Sequence, residues 1–186
     1  RLRDEMDIPI IYVSHSMGEV MRLADTVVLM DHGRSVAIGS VEELTSRLDL
    51  QPMTGRYEAG AVLPASIDGH DPENGLTRLA FAGGALLVPQ LEGTPGDSLK
   101  IRIRARDVIL SRHRPSEIST LNILHGRIME IGQNEGPHVE VLVDVGVPVW
   151  ARITRLSQNR LNVVPGENFH VLIKSVAIDR HSMGQR

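Results

Sequence analysis

A histidine, His15, follows within two residues of a continuous apolar run at residues 8–13. Such a run is typical of a strand buried on both faces of a parallel sheet. Ligands of open α/β sheets bind outside the carboxyl ends of the strands, so an imidazole there could donate a hydrogen bond to a ligand or exchange a proton with it. A lone histidine at a strand end is more often structural, and the rest of the sequence must decide its role.

Composition limits the classes of function. The 186 residues carry 20 Lys and Arg against 23 Asp and Glu, and 3% of them are aromatic, which argues against a broad nucleic-acid-binding face. Without cysteine there is no disulfide framework or thiolate metal site, and the eight histidines lack the spacing of a transition-metal site. No apolar run approaches the roughly 18 residues of a membrane span, so we expect no direct membrane insertion. The chain begins with Arg1, and we expect it to be a piece of a longer protein.

Residues 1–50 carry strand and helix signals in alternation. The pattern predicts a hairpin over residues 26–38 with its turn at 31–33. Residues 40–43, Ser-Val-Glu-Glu, have the spacing of a capping box and predict a short helix that ends near residue 48. We assign residues 1–50 to the end of an α/β domain.

After Leu50 the helical periodicity ends, and proline and glycine recur at short intervals. Short alternating strands follow, at a spacing typical of small all-β barrels. We predict them at residues 76–81, 85–88, 99–104, 126–131, 139–145, 149–153 and 169–174. The predicted fold class is therefore mainly β, with tandem OB-like small barrels after the α/β segment.

The β region repeats itself. PGDSLKIRIRARDV from Pro95 aligns with PGENFHVLIKSVAI from Pro165, and FAGGALLVP aligns with VDVGVPVWA so that Gly84 pairs with Gly146. TRLSQNRL, residues 154–161, has no counterpart in the first copy and is predicted to form a helical turn. We interpret the region as a duplicated barrel, with one copy at 51–116 and the other at 117–182.

These segments resemble a known family. IPIIYVSHSMGEVMRLADTVVLMDHGRSVAIGSVEEL, residues 8–44, resembles the last stretch of an ABC-type ATPase domain. LKIRIRARDVIL, STLNILHGRI, VPVWARIT and IKSVAI resemble the regulatory tail, of the TOBE or Mop type, of the ATP-binding subunit of bacterial molybdate importers. The resemblance covers almost the whole chain.

The resemblance implies that His15 is the switch histidine, whose ring donates a hydrogen bond to the γ-phosphate of ATP. The chain has no G-x-x-x-x-G-K-[ST] loop to cradle phosphates and no apolar strand ending in Asp-Glu to hold magnesium. ATP and magnesium are therefore expected in the intact parent only. The intact parent resembles an ABC-type molybdate transporter ATPase, but we expect this chain alone to be catalytically inactive.

The resemblance also implies a regulatory site for molybdate or tungstate. A tetrahedral dianion needs donors from several directions and no carboxylate nearby, and none of the three motifs concerned contains an acid. Leu121 stands where regulators of this group often have an arginine. Taken singly, hydroxyls at strand ends usually satisfy local backbone, so the assignment depends on the family order. The implied ligand residues are Ser119 in STLN, Thr154 and Ser157 in ITRLS, and Lys174 and Ser175 in IKSV.

The first copy carries a basic stripe on one strand face, formed by Lys100, Arg102, Arg104 and Arg106. We expect this stripe to be a solvated or subunit-facing edge. Arg104 and Ala105 align with Lys174 and Ser175, so the first copy has the charge but lacks the hydroxyl. Any anion site there is expected to be degenerate.

We interpret the chain as the C-terminal regulatory part of the ATP-binding subunit of a molybdate importer, cytoplasmic and peripheral on the inner face of the cell membrane. It is expected to form a homodimer, to work with an integral-membrane permease subunit and to bind no nucleic acid. Two alternatives stay open. One is a structural dimerisation and regulator-docking tail without an oxyanion, as in sugar-import ATPases, and the other is an OB-type nucleic-acid binder, which charge and aromatic content disfavour.

Overall fold

The computed structural model of the protein describes residues 9–15, 19–20, 23–47, 50, 60–132, 136–175 and 178–181. The helices that lie wholly within the described residues are α1 (Val41–Ser46) and α2 (Arg155–Leu161), and a 3-10 turn is formed by Ala105–Asp107. The strands are β1 (Val27–Asp31), β2 (Arg34–Gly39), β3 (Gly60–Asp71), β4 (Leu76–Phe81), β5 (Gly84–Pro89), β6 (Ser98–Arg104), β7 (Val108–Ser111), β8 (Asn122–Ile131), β9 (His138–Asp144), β10 (Pro148–Thr154), β11 (Asn168–Ile173) and β12 (Ile178–His181).

The predicted hairpin and capping box are both confirmed. β1 and β2 pair antiparallel across a turn whose residues His32 and Gly33 have φ values of 46° and 77°. Two successive positive φ angles match the right-handed twist of the flanking strands. Ser40 then caps α1, with its hydroxyl accepting from the Glu43 N–H at 3.1 Å and the Glu43 carboxylate accepting from the Ser40 N–H at 2.9 Å.

The strand predicted at residues 8–13 does not form in the part of this segment that the structure describes, residues 9–13. Ile11 and Val13 are 94% and 91% exposed there. A strand that is buried on both faces needs neighbouring strands at both edges. The described residues supply no such neighbour, and the apolar run alone does not produce the strand. Ile8 lies outside the described residues.

The β region consists of two five-stranded sheets that have the same order. One runs β12-β6-β3-β4-β5 and the other, read from its β7 edge, β7-β11-β8-β9-β10. β3 to β6 therefore correspond to β8 to β11, which confirms the predicted duplication. Each sheet also takes one of its two edge strands from the other repeat, because β7 pairs with β11 and β12 pairs with β6.

A matching hydrogen-bond pair marks the repeat in atomic detail. The Gly96 N–H donates to the Ile67 carbonyl at 2.8 Å, and the Gly166 N–H donates to the Ile128 carbonyl at the same distance. Register shifts follow Ile67 in β3 and Ile128 in β8, so both strands bend at the same place. Both glycines have positive φ, 99° and 91°, which explains why each copy carries a Pro-Gly pair there.

One hydrophobic cluster extends through both sheets, from Ala61 to Ile173. The proposed division into 51–116 and 117–182 stays a prediction. Across that division the two copies exchange β7 and β12 and share this core. α1 packs on the outer face of the first sheet, where Val41 contacts Val62.

Candidate functional site

Three of the residues implied by the family resemblance lie near one end of the second sheet. Ile173, the last residue of β11, pairs with Asn122, the first residue of β8. Lys174 and Ser175 follow directly after β11, and Ser119 lies three residues before β8, in an exposed loop. Within the described part of the chain Lys174 is exposed and makes no hydrogen bond or ion pair. Its ammonium group is therefore available to an anion.

Asn122 organises this end of the sheet and was missing from the residues singled out by sequence. Its side chain is buried, and its Nδ2 donates to the Leu87 carbonyl at 2.9 Å and to the Ser175 hydroxyl oxygen at 3.4 Å. Because the Ser175 oxygen accepts this bond, its own O–H can donate elsewhere. Asn122 is the last residue of the STLN motif. A polar residue at the first position of a strand with buried residues is the sequence feature that could have indicated its role.

The other two implied residues, Thr154 and Ser157, form a second group at the start of α2. Thr154 is the N-cap, and its hydroxyl oxygen accepts from the Ser157 N–H at 3.0 Å. The two hydroxyl oxygens lie 2.9 Å apart. Only one of them can donate within the pair, so one O–H stays available to a ligand. The helix predicted for residues 154–161 is confirmed.

The structure does not join the two groups through a hydrogen bond among the described residues. Thr154 ends β10, whereas Lys174 follows β11, and β9 and β8 lie between these strands in the sheet. The set implied by the resemblance is therefore two separate donor groups in one chain: Lys174, Ser175 and Ser119 beside Asn122, and Thr154 with Ser157.

The basic stripe is not an exposed edge, which corrects the sequence-based expectation. β6 pairs with β3 on one side and with β12 on the other, so it is an inner strand. Arg102 is only 8% exposed, Lys100 and Arg104 are half-buried, and Arg106 alone of the four is exposed. Alternation of apolar and basic residues predicted the strand but could not show that another strand covers it.

A pair of histidines lies across β8 and β11. His125 of β8 and His170 of β11 are directly paired in register, with ring centroids 5.5 Å apart in an edge-to-face arrangement. Partial burial lowers the pKa of His170, and the nearby charges of His125, Arg114 and His113 lower it further. His170 therefore favours its neutral form more than an isolated histidine does.

His15 lies at the end of the exposed segment 9–15, and the residues that follow it, 16–18, are outside the described part. Tyr12 and Ser14 precede His15 along the chain, and Glu19 follows it. The Tyr12 and Ser14 hydroxyls both donate to the Glu19 carboxylate, at 2.8 and 2.7 Å. Its assignment as a phosphate-contacting residue stays a prediction. Within the described residues, no three acidic or histidine side chains are placed to hold a metal ion, and no helix is long and apolar enough to cross a membrane.

Comparison with known proteins connects this geometry to a family. Residues 118–179 match the TOBE domain. The chain is 46% identical over 99% of its length to the molybdenum import ATP-binding protein ModC of Mesorhizobium japonicum and 43% identical over 97% to that of Paramagnetospirillum magneticum. It spans about half of each relative, 50% in both cases.

A solved structure shares the fold. The cytoplasmic molybdate-binding protein ModG, crystallised with molybdate bound, superimposes with a TM-score of 0.55 at 18% identity, over 66% of this chain and 94% of that one. This likeness supports the mainly β architecture of tandem OB-like barrels. Residues 118–179 are therefore similar to a TOBE domain, in a chain that is similar over nearly its whole length to one half of molybdenum import ATP-binding proteins.

Proposed function

We propose that this chain is the C-terminal regulatory part of the ATP-binding subunit of a molybdate importer and that its β region binds molybdate or tungstate. The observation that carries the proposal is the group at the end of β11. There an unpaired, exposed Lys174 stands beside the Ser175 hydroxyl, whose oxygen already accepts from Asn122. This group offers a cation and a directed O–H to an oxyanion, in a chain related to molybdenum import proteins.

We place the complete site at the boundary between two copies of the chain. Lys174, Ser175 and Ser119 of one copy would bind one side of the oxyanion, and Thr154 with Ser157 of the other copy would bind the opposite side. Support comes from the lack of any hydrogen bond between the two groups in the described chain and from the O–H that the Thr154–Ser157 pair leaves available. A homodimer is therefore part of the proposal.

Binding regulates uptake only if the oxyanion binds one conformation of the importer better than another. The intact parent would bind ATP and magnesium, with His15 near the γ-phosphate, and would act with a membrane permease on the inner face of the cell membrane. By itself this chain should not hydrolyse ATP, because the phosphate loop and the magnesium ligands are absent from its sequence.

Titration calorimetry with molybdate, tungstate and then sulfate tests the proposal. We expect saturable binding of one molybdate per chain, because a symmetric dimer would form two shared sites. Light scattering with and without ligand should find a dimer at a chain concentration on the order of tens of micromolar. A flat molybdate titration of folded protein would contradict oxyanion binding. A monomer that binds molybdate with full affinity would contradict the shared site.

The alternative is a structural dimerisation or regulator-docking tail that binds no oxyanion. The specific observation in its favour is that Thr154 already has a local role as the N-cap of α2. Leu121, exposed where related regulators often have an arginine, also removes one source of positive charge. A dimer that forms without binding any of the three oxyanions would favour this alternative.

A further inference from the structure

Arg112 forms an unusually complete set of contacts for a surface arginine. It follows directly after β7, and its Nε donates to the Leu161 carbonyl at 2.7 Å while its Nη2 donates to the Asn162 carbonyl at 2.6 Å. Its Nη1 pairs with the Glu167 carboxylate at 2.7 Å, and its guanidinium carbon lies 4.6 Å from the centroid of the Phe169 ring. A planar guanidinium satisfies such a fork of acceptors, whereas an ammonium cannot.

The two carbonyls belong to the C-terminal end of α2. This helix has seven residues, none of them buried, and an isolated helix of this length is not stable in water. Its N-terminal end is fixed by the Thr154 cap and by the Arg155 N–H, which donates to the Pro137 carbonyl at 3.0 Å. At the opposite end, the last carbonyls of a helix have no partner within it, and here Arg112 supplies one.

We infer that Arg112 is a positioning residue, which fixes α2 and thereby sets the direction of the Thr154 and Ser157 hydroxyls toward the oxyanion. This inference rests on the proposed function. Arg112 lies 49 and 50 residues before its two carbonyl partners, next to the strand that the first copy contributes to the second sheet. The first copy therefore takes part in the site through α2, although it supplies no oxyanion ligand.

The test combines Arg112→Lys with Ser157→Ala in the full chain. Arg112→Lys should weaken molybdate binding by about fivefold, the loss expected for the Ser157 hydroxyl itself. If Arg112 acts through that hydroxyl, the double variant should bind clearly better than the product of the two losses, about 25-fold, would predict. A purely structural weakening of the protein would give independent, multiplicative losses.

Two controls separate the contacts of Arg112. Glu167→Gln removes the ion pair but keeps the carbonyl contacts, and it should bind molybdate within about twofold of the wild type. Arg127→Lys changes an arginine of β8 that donates to the Gly166 carbonyl at 3.2 Å and, among the described residues, makes no hydrogen bond to α2. It should also leave affinity unchanged.

Hydrogen exchange supplies a readout that needs no ligand. In Arg112→Lys the amides of residues 157–163 should exchange faster, while those of β3 keep wild-type rates. Wild-type exchange in α2, or losses that multiply in the double variant, would overturn the role of Arg112 while leaving oxyanion binding intact. No molybdate binding by the wild type would overturn the proposed function, and the role of Arg112 in it would fall as well.

Discussion

The side-chain amide of Asn122 pairs with both backbone polar groups of Leu87. Its Oδ1 accepts from the Leu87 N–H at 2.7 Å, and its Nδ2 donates to the Leu87 carbonyl at 2.9 Å. Leu87 lies in β5, an edge strand of the first sheet, and Asn122 begins β8 of the second. One buried amide thus supplies partners for the backbone N–H and C=O of an edge strand and joins the two copies. Its third bond, at 3.4 Å, is donated to the Ser175 hydroxyl oxygen.

Asn122→Ala should lower the free energy of unfolding by about 1–3 kcal/mol, because it leaves the N–H and C=O of Leu87 without partners in a partly buried place. It should also weaken molybdate binding, since Ser175 loses the group that orients it. Urea denaturation and calorimetry measure the two effects. Asn168→Ala is the matched control, because Asn168 is exposed on β11, and it should change neither quantity. Unchanged stability in Asn122→Ala would show that water replaces the amide at no cost.

Local sequence signals predicted most elements of the fold. Alternation predicted seven of the strands to within a few residues, because apolar side chains at alternate positions of each strand enter the shared core. The turn at His32 and Gly33 and the box at Ser40 and Glu43 were predictable because their chemistry is local. The repeat also followed from the sequence, since each copy needs a glycine with positive φ at the same bend.

What the sequence could not predict depends on partners far along the chain. β3 was missed because it contains Pro64 and two glycines, Gly60 and Gly69, yet Pro64 lies in the part of β3 that pairs only with β6, where a missing N–H is tolerated. β7 and β12 are short and each pairs with the other repeat. For the same reason the double role of Asn122 and the burial of Arg102 were not predictable.

Residues 117–186 should not fold stably by themselves. They lack β7, whose Val108 and Leu110 are 3% and 6% exposed, and burial of two such side chains contributes about 3–6 kcal/mol, comparable with the whole stability of a small domain. Circular dichroism during thermal unfolding should show a broad or absent transition. Full-length chain cleaved between residues 116 and 117 is the control and should keep a cooperative transition, because both parts are still present. A cooperative, native-like 117–186 fragment would mean that β7 is dispensable.

Stability should fall in mild acid partly through His170. Its pKa in the folded protein is lowered from 6.5, so the unfolded chain takes up the proton first, and the stabilisation present above about pH 6.5 is lost as the pH falls through the folded pKa. Urea unfolding at about pH 8 and about pH 5 measures the loss. His170→Gln should lose less stability over this range than the wild type. His138→Gln, an exposed control on β9, should follow the wild type, and identical losses in all three proteins would contradict the assignment.

The purified chain should show no ATPase activity above a buffer blank. Neither a phosphate loop nor magnesium ligands of the ATPase type occur in its sequence, and His15 alone cannot polarise the γ-phosphate and hold the metal. Phosphate release with ATP and magnesium is the measurement, with His15→Ala as the paired variant. Turnover in the wild type that His15→Ala abolishes would show that the chain contains a working hydrolytic site.

Lys174→Ala should weaken molybdate binding more than Ser157→Ala does. Lys174 is the cation of the group at the end of β11, so its removal leaves neutral donors in that group facing a dianion, and we expect a loss of about 2 kcal/mol, or about thirtyfold in affinity. The other basic residue of the three motifs, Arg155 in ITRLS, donates to the Gly136 carbonyl at 2.6 Å. Ser157→Ala removes one neutral donor and should cost about 1 kcal/mol, or about fivefold. Calorimetry on both variants measures the order of the two effects. Arg106→Ala, which removes an exposed cation of the first copy, controls for the change in net charge and should bind as the wild type does. Equal binding by folded Lys174→Ala would show that the oxyanion binds elsewhere, and an equal loss in Arg106→Ala would show that overall charge, not the group at the end of β11, determines affinity.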